Sequence, residues 1–462
     1  MQSLPPGFRV ALDPQVRHLD GGAALLGGSP LRLLRLKPVA RQLLAERPMQ
    51  VRDRRSARLA RQLLDAGVAH PCPLAGPSVD EVTVVIPVRD NAAGVDRLLR
   101  ALDTAGPVIV VDDGSRRPQD LKAVSDSHGA HLRRHATSRG PAAARNTGLA
   151  HTRTPFVVFL DSDVVPDPGW LPPLLRHMSD PAVALVAPRI TALAGGSGWI
   201  ARYETVRSSL DLGPREAPVV PRSRVAYVPS AALLVRVAAM QDRAFDGSMP
   251  VAEDVDLCWR LHAEGWRLRY DPASRVAHEH RVDTRKWLTR KAFYGTGAAP
   301  LAERHPGQVP PVVLAPWTAA ALALLFSGTR TGVLGAAVVT GISTVRIARM
   351  MQGLEHPLRT AAVLASQGQY YAVQQLASAA YRSYWPLTVL AAVGVPRVRR
   401  ALVLGAVLEG VADWAAHREP DGAGLDPLRH VVAKRLDDVA YGAGLWWGAA
   451  RARSVSALRP SF

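Results

Sequence analysis

The chain has 462 residues, 48% hydrophobic and 21% charged, which suffices to bury a sizeable core and excludes both a wholly disordered chain and a polytopic transporter. Two or three domains are expected at this length. A formal charge of +18 attracts nucleotide phosphates, anionic lipid headgroups and nucleic acid alike, but with no zinc-finger spacing, RNA-binding aromatic signature or compact basic helix the sequence points away from nucleic acid. Cys72 and Cys258, far apart, give neither a disulfide framework nor a metal knuckle and fit a reducing compartment. Met1 to Pro5, followed by Gly7 and Phe8, lacks a charged start and an apolar stretch, so no secretory signal is expected.

Residues 1–78 are punctuated by Gly21, Gly22, Gly27, Gly28 and Pro30 and predict a small α+β module. From Leu33 to Leu64, Leu, Val and Ala recur among many Arg at near-helical spacing, so one or two basic amphipathic helices are expected. The module reads either as a packing extension of the neighbouring domain or as a seat for a peptide-like acceptor.

Residues 79–310 read as alternating strands and helices. Val82 to Ile86 is an apolar, β-branched run closed by Pro87, and Asn91 to Thr104 continues at helical spacing. Val108 to Val111 is a second buried strand that ends on Asp112, Asp113, Gly114 and Ser115. Pro141 to His151 reads as a helix opened by Gly140, and Pro155 to Leu160 as a strand running into Asp161, Ser162 and Asp163. Strands that are apolar throughout and joined by helices predict a parallel sheet covered on both faces.

Ligands of such sheets collect at the carboxyl ends of the strands, and Asp90, Asp112, Asp113, Asp161 and Asp163 all fall there. Concentrated negative charge in a basic protein calls for a counter-cation, and oxygen ligands suit Mg2+ or Mn2+, with diphosphate oxygens completing the shell. An isolated D-x-D can equally be a turn closed by its own side chains; its position after an apolar strand favours the metal. Further on, Glu253-Asp254-Val255-Asp256 opens an otherwise apolar helix. The macrodipole alone favours acids there, but the acidic end would also protrude toward the site, where Asp254 could take the proton of an acceptor hydroxyl.

From 311 to 462 the composition changes. Val312 to Phe326 and Val333 to Val345 are Ala-rich apolar runs separated by Ser327 to Gly332, each shorter than the roughly 20 residues of a spanning helix. A re-entrant or interfacial hairpin therefore competes with two short spans and with a buried helix pair, and membrane association is the favoured reading. Leu387 to Val395 and Ala401 to Val411, bordered by Arg397, Arg399 and Arg400, suit a surface lying on anionic lipid.

Taken together, Val84-Val85-Ile86-Pro87-Val88-Arg89-Asp90, Val110-Val111-Asp112-Asp113-Gly114-Ser115, Gly140-Pro141-Ala142-Ala143-Ala144-Arg145-Asn146-Thr147-Gly148, Phe159-Leu160-Asp161-Ser162-Asp163 and Glu253-Asp254 resemble the inverting glycosyltransferase family 2. The resemblance implies the nucleotide-sugar-binding fold called GT-A. It implies a donor-base pocket at Pro87, Arg89 and Asp90, uracil or ribose contacts from Asp112 or Asp113, and ribose or diphosphate contacts from Arg139, Arg145 and Asp161. Asp161 and Asp163 correspond to the metal-binding pair, with His278 as a further metal or phosphate contact and His280 as its substitute. Asp254, with Glu253 beside it, corresponds to the catalytic base, and Asp256, Trp259 and Arg260 are the expected acceptor contacts. Two departures stand out: Arg89 replaces the usual base-stacking aromatic, and no Q-x-x-R-W motif occurs, Lys286-Trp287-Leu288-Thr289-Arg290 being no substitute, which disfavours processive synthesis.

The layout of the whole chain narrows the resemblance. Gly7-Phe8-Arg9-Val10-Ala11-Leu12-Asp13 and Leu25-Leu26-Gly27-Gly28-Ser29-Pro30-Leu31-Arg32-Leu33, then the transferase, then an apolar tail, are similar to the mycofactocin-system glycosyltransferases of actinobacteria. That similarity implies transfer of glucose from UDP-glucose to a small peptide-derived redox cofactor or its precursor, extending a β-linked oligosaccharide. Transfer would take place at the cytoplasmic face of the cell membrane, or in the cytoplasm with peripheral membrane association. A membrane-surface enzyme acting on a lipid or polyprenyl carrier is the rival. A sugar-nucleotide pyrophosphorylase would need a Gly-rich loop with Arg and Lys that Asp90-Asn91-Ala92-Ala93-Gly94 does not supply, and a decayed binding module is opposed by the filled acidic positions.

Overall fold

A computed structural model describes residues 3–103, 106–193, 198–240, 244–418 and 424–462. The amino-terminal module holds two small antiparallel sheets. In the first, β1 (Arg9–Leu12) runs between two later strands; in the second, β2 (Arg17–Leu19), β3 (Ala24–Gly27) and β4 (Arg32–Arg35) form a meander. After α1 (Pro38–Leu43) come β5 (Met49–Gln50), α2 (Arg54–Asp65) and β6 (Ala69–Pro71), and β5 and β6 flank β1. Asp53 caps α2 by accepting from the Ser56 N–H at 2.8 Å, and Ala57, Ala60, Leu63 and Leu64 recur at helical spacing on its buried face.

The expected boundary between 78 and 79 is not a division between compact units. Residues 1–197 and 207–280 form a single unit. Polar ties explain why: the Arg61 fork donates to Asp180 at 2.8 and 2.7 Å in a buried pair, Arg267 donates to Asp65 at 3.0 and 2.7 Å, and Arg269 pairs with Glu216 at 2.6 Å. Bidentate forks of this kind fix geometry more than they add stability.

The central sheet is built, in chain order, from β7 (Val82–Val88), α3 (Ala92–Ala101), β8 (Val108–Asp113), α4 (Pro118–Ser127), β9 (His131–His135), α5 (Pro141–Ala150), β10 (Phe156–Leu160), β11 (Val164–Pro166), α6 (Leu171–His177) and β12 (Val183–Ala192). After α7 (Trp199–Arg207) come β13 (Ala217–Pro218), β14 (Ala232–Arg236), α8 (Glu253–Ala263) and β15 (Arg267–His278). Thr104, the expected end of α3, lies outside the described residues. The strand order is β11-β15-β12-β14-β10-β7-β8-β9, with β13 on β15.

Strands β9, β8, β7 and β10 are parallel, as expected, but β14 is antiparallel to both β10 and β12, and β11 and β13 are antiparallel to β15. The sheet is thus mixed. All seven residues of β7 are buried. Helix α5 lies so close to β7 that a Cβ at Gly148 would sit 2.2 Å from Val85 Cγ1.

Residues 198–206 and 281–462 form a second unit. It comprises most of α7 with α9 (Thr284–Thr296), α10 (Ala298–Arg304), α11 (Pro316–Phe326), α12 (Arg330–Met350), α13 (Pro357–Arg382), α14 (Trp385–Gly394), α15 (Pro396–Ala416) and α16 (Pro427–Ala452). Its interior is polar in part: Lys291 lies 2.9 Å from Glu204 and 3.1 Å from Asp437, and Arg382 reaches Asp437 and Asp438. Its outside is apolar in part, with Leu334, Val338, Ile342, Leu390, Val393, Leu404 and Leu408 exposed. The run Val333 to Val345, read as too short to span a bilayer, is the middle of a 21-residue helix of mean hydropathy 1.5, long and apolar enough to cross one.

Candidate active site

The loops after β7, β8 and β10 converge, and side chains from β9, α5 and α8 fill the space between them. Asp90 takes a left-handed φ of 54°, unusual outside glycine. Its N–H donates to Ser115 Oγ at 2.8 Å, and its Oδ1 accepts the Arg116 N–H at 2.8 Å. Asp112, 0% exposed, accepts the Ser115 N–H at 2.8 Å and pairs with Arg134. Asp113, also buried, accepts from His135 at 2.7 Å, Ser138 Oγ at 2.7 Å, the Arg139 N–H at 2.8 Å and the Gly140 N–H at 2.9 Å. Burial alone would raise its pKa, but these donors outweigh it and hold the carboxyl below its ordinary value.

The two acids expected on the nucleoside therefore spend their oxygens on protein donors and shape the loops at 114–116 and 138–140. The rim above them is exposed: Arg89, whose Nη1 donates to Ser138 Oγ at 3.1 Å, Asp90 and Arg139. Pro87 is buried within β7.

The second group joins the acids of β10 to those of α8. Arg145, 2% exposed, donates from Nη2 to Asp161 Oδ1 at 2.6 Å and from Nη1 to Glu253 Oε1 at 3.0 Å, with its guanidinium 5.3 Å from the Phe245 ring centre. Asn146 holds Phe245 in place, donating to its carbonyl at 2.7 Å and accepting its N–H at 3.0 Å. Burial of Arg145 works against its charge, yet Asp161 and Glu253 raise its pKa above the ordinary value. Next to this strut, Asp254 Oδ2 accepts the Ser230 N–H at 3.1 Å and Oδ1 accepts the Val255 N–H at 2.8 Å. Burial, then the neighbouring Glu253 charge, push Asp254 up to about 6. Ala252, left-handed at φ 65°, turns the chain into α8 just ahead of these acids.

On the other side, β11 pairs with β15 so that Val164 faces His278, which brings His278 Nε2 to 3.6 Å from Asp163 Oδ1. His280 lies beside it, its ring tilted by 49° with ring centres 5.1 Å apart. One carboxylate and one imidazole, with Asp161 close in sequence, form a donor set that suits a divalent ion whose remaining ligands come from a diphosphate. Among the described residues, no three His, Cys, Asp or Glu side chains make a preformed cage.

Asp256, Trp259 and Arg260, the expected acceptor contacts, face the protein. Asp256 is 1% exposed and accepts from Arg260 Nε at 2.7 Å; Trp259 Nε1 donates to the Ala226 carbonyl at 2.8 Å, and Arg260 Nη2 to that of Ala244 at 3.0 Å. Sequence reasoning missed Arg134 and His135, which lie opposite Asp112 and Asp113 in the β8–β9 register. The Arg-Arg-His run some twenty residues after the paired acids was a usable signal. It also missed Ser230, whose role rests on a backbone N–H that no residue type announces.

The family description Glycosyl transferase family 2 matches residues 83–241. A pre-mycofactocin glycosyltransferase of Mycobacterium tuberculosis is 52% identical over 465 aligned positions, which cover 99% of this chain and 98% of that protein. A probable N-acetylgalactosaminyltransferase 9 of Caenorhabditis elegans is 25% identical, covering 42% of this chain and 38% of its own. Among solved structures, a mannosyltransferase from Pyrobaculum calidifontis in complex with GDP-Man and Mn2+ shares 18% identity at a TM-score of 0.39, covering 66% of this chain and 90% of that one.

Proposed function

The chain belongs to glycosyltransferase family 2 and is a glycosyltransferase, and from that premise we propose that it transfers glucose with inversion from UDP-glucose to a hydroxyl of the peptide-derived redox cofactor precursor pre-mycofactocin, extending a β-linked oligosaccharide. The acceptor assignment draws on the full-length similarity to the mycobacterial enzyme of that name. The chemical assignment draws on one observation: Asp161, Arg145, Glu253 and Asp254 form a continuous chain, so the first D-x-D acid and a carboxylate of raised pKa share one site.

Asp254 acts as general base. It takes the acceptor proton as the hydroxyl oxygen attacks the anomeric carbon, while the bond from that carbon to the diphosphate oxygen breaks and its electron pair leaves with the diphosphate. A carboxyl that titrates near 6 is mostly ionised at pH 7 and remains basic enough to accept the proton. Glu253 acts through Arg145 and through its charge on Asp254. Asp163 and His278, with Asp161 beside them, would hold Mg2+ or Mn2+. A bound ion neutralises charge that develops on the leaving diphosphate. Arg89, Asp90 and Arg139 line the nucleoside side, with Pro87, Asp112 and Asp113 fixing their backbone. Asp256, Trp259 and Arg260 position the loops at 226 and 244 rather than touch the acceptor.

We place the enzyme at the cytoplasmic face of the cell membrane, in keeping with the exposed apolar helices of the second unit. The same helices favour a second reading, transfer to a lipid or polyprenyl carrier. Purified Asp254→Asn and Asp163→Ala variants, assayed with Mn2+ for donor hydrolysis and transfer, should each lose at least about a hundredfold in kcat, the scale of a lost general base or charge-stabilising group. Wild-type turnover in both would overturn the site. Mass spectrometry of small molecules from cells with and without the gene separates the acceptors: loss of glycosylated cofactor supports the first reading, and loss of a glycosylated lipid the second.

A further inference from the structure

Each residue of the Asp161-Ser162-Asp163 turn is tied down at its backbone. The Asp161 N–H donates to the Ala231 carbonyl at 3.0 Å, and the Asp163 carbonyl accepts the Glu279 N–H at 2.9 Å. Between them Ser162 is held by a side chain: Asn91 Nδ2 donates to the Ser162 carbonyl at 3.2 Å and to its Oγ at 3.2 Å. The outer two ties join backbone to backbone and place no demand on residue type. The middle one needs an amide of this length at this place.

Asn91 also caps α3, its Oδ1 accepting the Gly94 N–H at 3.1 Å. Capping alone does not select asparagine: serine or aspartate caps as well, and aspartate adds a favourable charge at the helix start. Neither carries the N–H donors that turn here to Ser162. Gly94 is a second, independent sign. A Cβ there would lie 2.3 Å from the Ser162 carbonyl oxygen and 2.3 Å from Asn91 Nδ2, so the first turn of α3 meets the D-x-D turn at a separation that any side chain would break. One turn further on, Arg97 pairs with Glu279, whose N–H holds Asp163.

The position of Ser162 matters because it sits between the two acids. A shift of its carbonyl rotates the peptide planes on either side, and Asp161 and Asp163 move with them. Asp161 is already braced by Arg145 at 2.6 Å, whereas Asp163 faces His278 across 3.6 Å. Among the described residues no three His, Cys, Asp or Glu side chains form a preformed cage, so an ion held here depends on a small donor set kept in register. Groups that orient metal ligands from behind typically weaken affinity or activity by about 10–100-fold when removed.

We propose that Asn91 is a positioning residue for the divalent ion: its amide clamps Ser162 against α3, so that Asp161 and Asp163 present their carboxylates in one fixed register. The proposal rests on the reading of that pair as ion ligands and adds that α3, which supplies no ligand itself, sets how tightly the ion is held.

The test uses the full chain with Mn2+ and UDP, the paramagnetic resonance signal of unbound Mn2+ reporting binding without turnover. Asn91→Ser keeps a helix cap but removes the amide donors. It should raise the Kd for Mn2+ about tenfold at an unchanged melting temperature. In transfer assays its apparent KM for Mn2+ should rise by the same factor while kcat at saturating Mn2+ changes little. Gly94→Ala, which pushes α3 off the turn, should weaken Mn2+ binding in the same way. Arg100→Ala, on the exposed side of the same helix and paired with Asp96, should bind Mn2+ as the wild type does. Wild-type Mn2+ affinity in Asn91→Ser, a fall in kcat at saturating Mn2+ with KM unchanged, or an equal loss of affinity in Arg100→Ala would overturn the clamp. Asp163→Ala in the same titration separates the two ideas: if it binds Mn2+ like the wild type, the reading of the D-x-D pair as ligands fails, and if it loses binding while Asn91→Ser does not, only the clamp fails.

Discussion

At Asp254 the environment opposes the ionised state that the proposed role as general base needs. Burial and Glu253 raise its pKa from 3.8 to about 6, so holding it ionised at neutral pH works against folding, and the stability this group confers declines as pH rises from about 4 through 6. Stability and activity therefore respond with opposite signs. Asp254→Asn should raise the unfolding free energy at pH 7, by at most about 3 kcal/mol for a two-unit shift, and with it the melting temperature, while abolishing transfer; an unchanged or lower melting temperature would show that the carboxylate is not strained. In the wild type, kcat/KM should fall about tenfold per pH unit below about 6 and level off above it. Arg145 lowers the Asp254 pKa through its charge. In Arg145→Met the inflection should therefore move to higher pH, and because two carboxylates lose a buried partner, the fold should lose about 3–5 kcal/mol by denaturant unfolding. At this scale the sequence was partly legible. Asp161, Asp163 and Asp254 could be located because apolar strands and an apolar helix point them to one edge. Whether Asp112 and Asp113 turn toward ligand or protein depended on Arg134 and His135, on a strand too polar to be noticed.

Among the elements, those with one unbroken physical signal were the readable ones. Strands β7, β8 and β10 are apolar runs with buried faces, and α5 and α8 open on recognisable starts. β9, with the sequence HLRRH, sits at the sheet edge, where polar residues are tolerated and the alternation that betrays a strand is lost. The antiparallel return of β14 was not visible either, since Ala232–Arg236 is a short apolar run whose composition carries no direction. Helix α12 was read short because Arg330, Arg346 and Arg349 punctuate its apolar run, although a helical backbone continues through polar positions. The contact of α5 with β7 offers a direct test. Gly148→Ala gains about 1 kcal/mol of helix propensity but sets a methyl against Val85, and overpacking of that kind costs about 1–3 kcal/mol. The variant should be less stable, and Val85→Ala in the same chain should restore part of the loss. A stabilised single variant would mean that helix and strand separate freely.

For the whole molecule, the charge of +18 and the apolar exterior of the helical unit act together. Arg397, Arg399 and Arg400 open α15 directly after the apolar α14, and each basic residue near an anionic bilayer contributes about 1 kcal/mol. In vesicle flotation the protein should associate with phosphatidylserine-containing membranes. Changing the three arginines to Ala should weaken binding at about 0.1 M salt far more than at about 1 M, where the Debye length has shrunk to about 3 Å. Equal recovery on neutral and anionic vesicles would remove the electrostatic part of the argument. The small opening module packs with the sheet through the ties at Arg61, Arg267 and Arg269, which are not legible in sequence because they join residues that lie far apart in the chain.

Helix α5 is only ten residues long, yet Gly140 at its cap donates to Asp113, Arg145 spans Asp161 and Glu253, Asn146 grips Phe245, Thr147 meets His135 at 2.9 Å and Gly148 lies against Val85. The loop at 138–140, the strut between Asp161 and Glu253, and Phe245 are all anchored to this one short segment. In engineering terms it is a shared part: a donor loop or an acceptor loop could be exchanged with that of another transferase on its own, whereas a transplanted α5 would have to carry both loops with it.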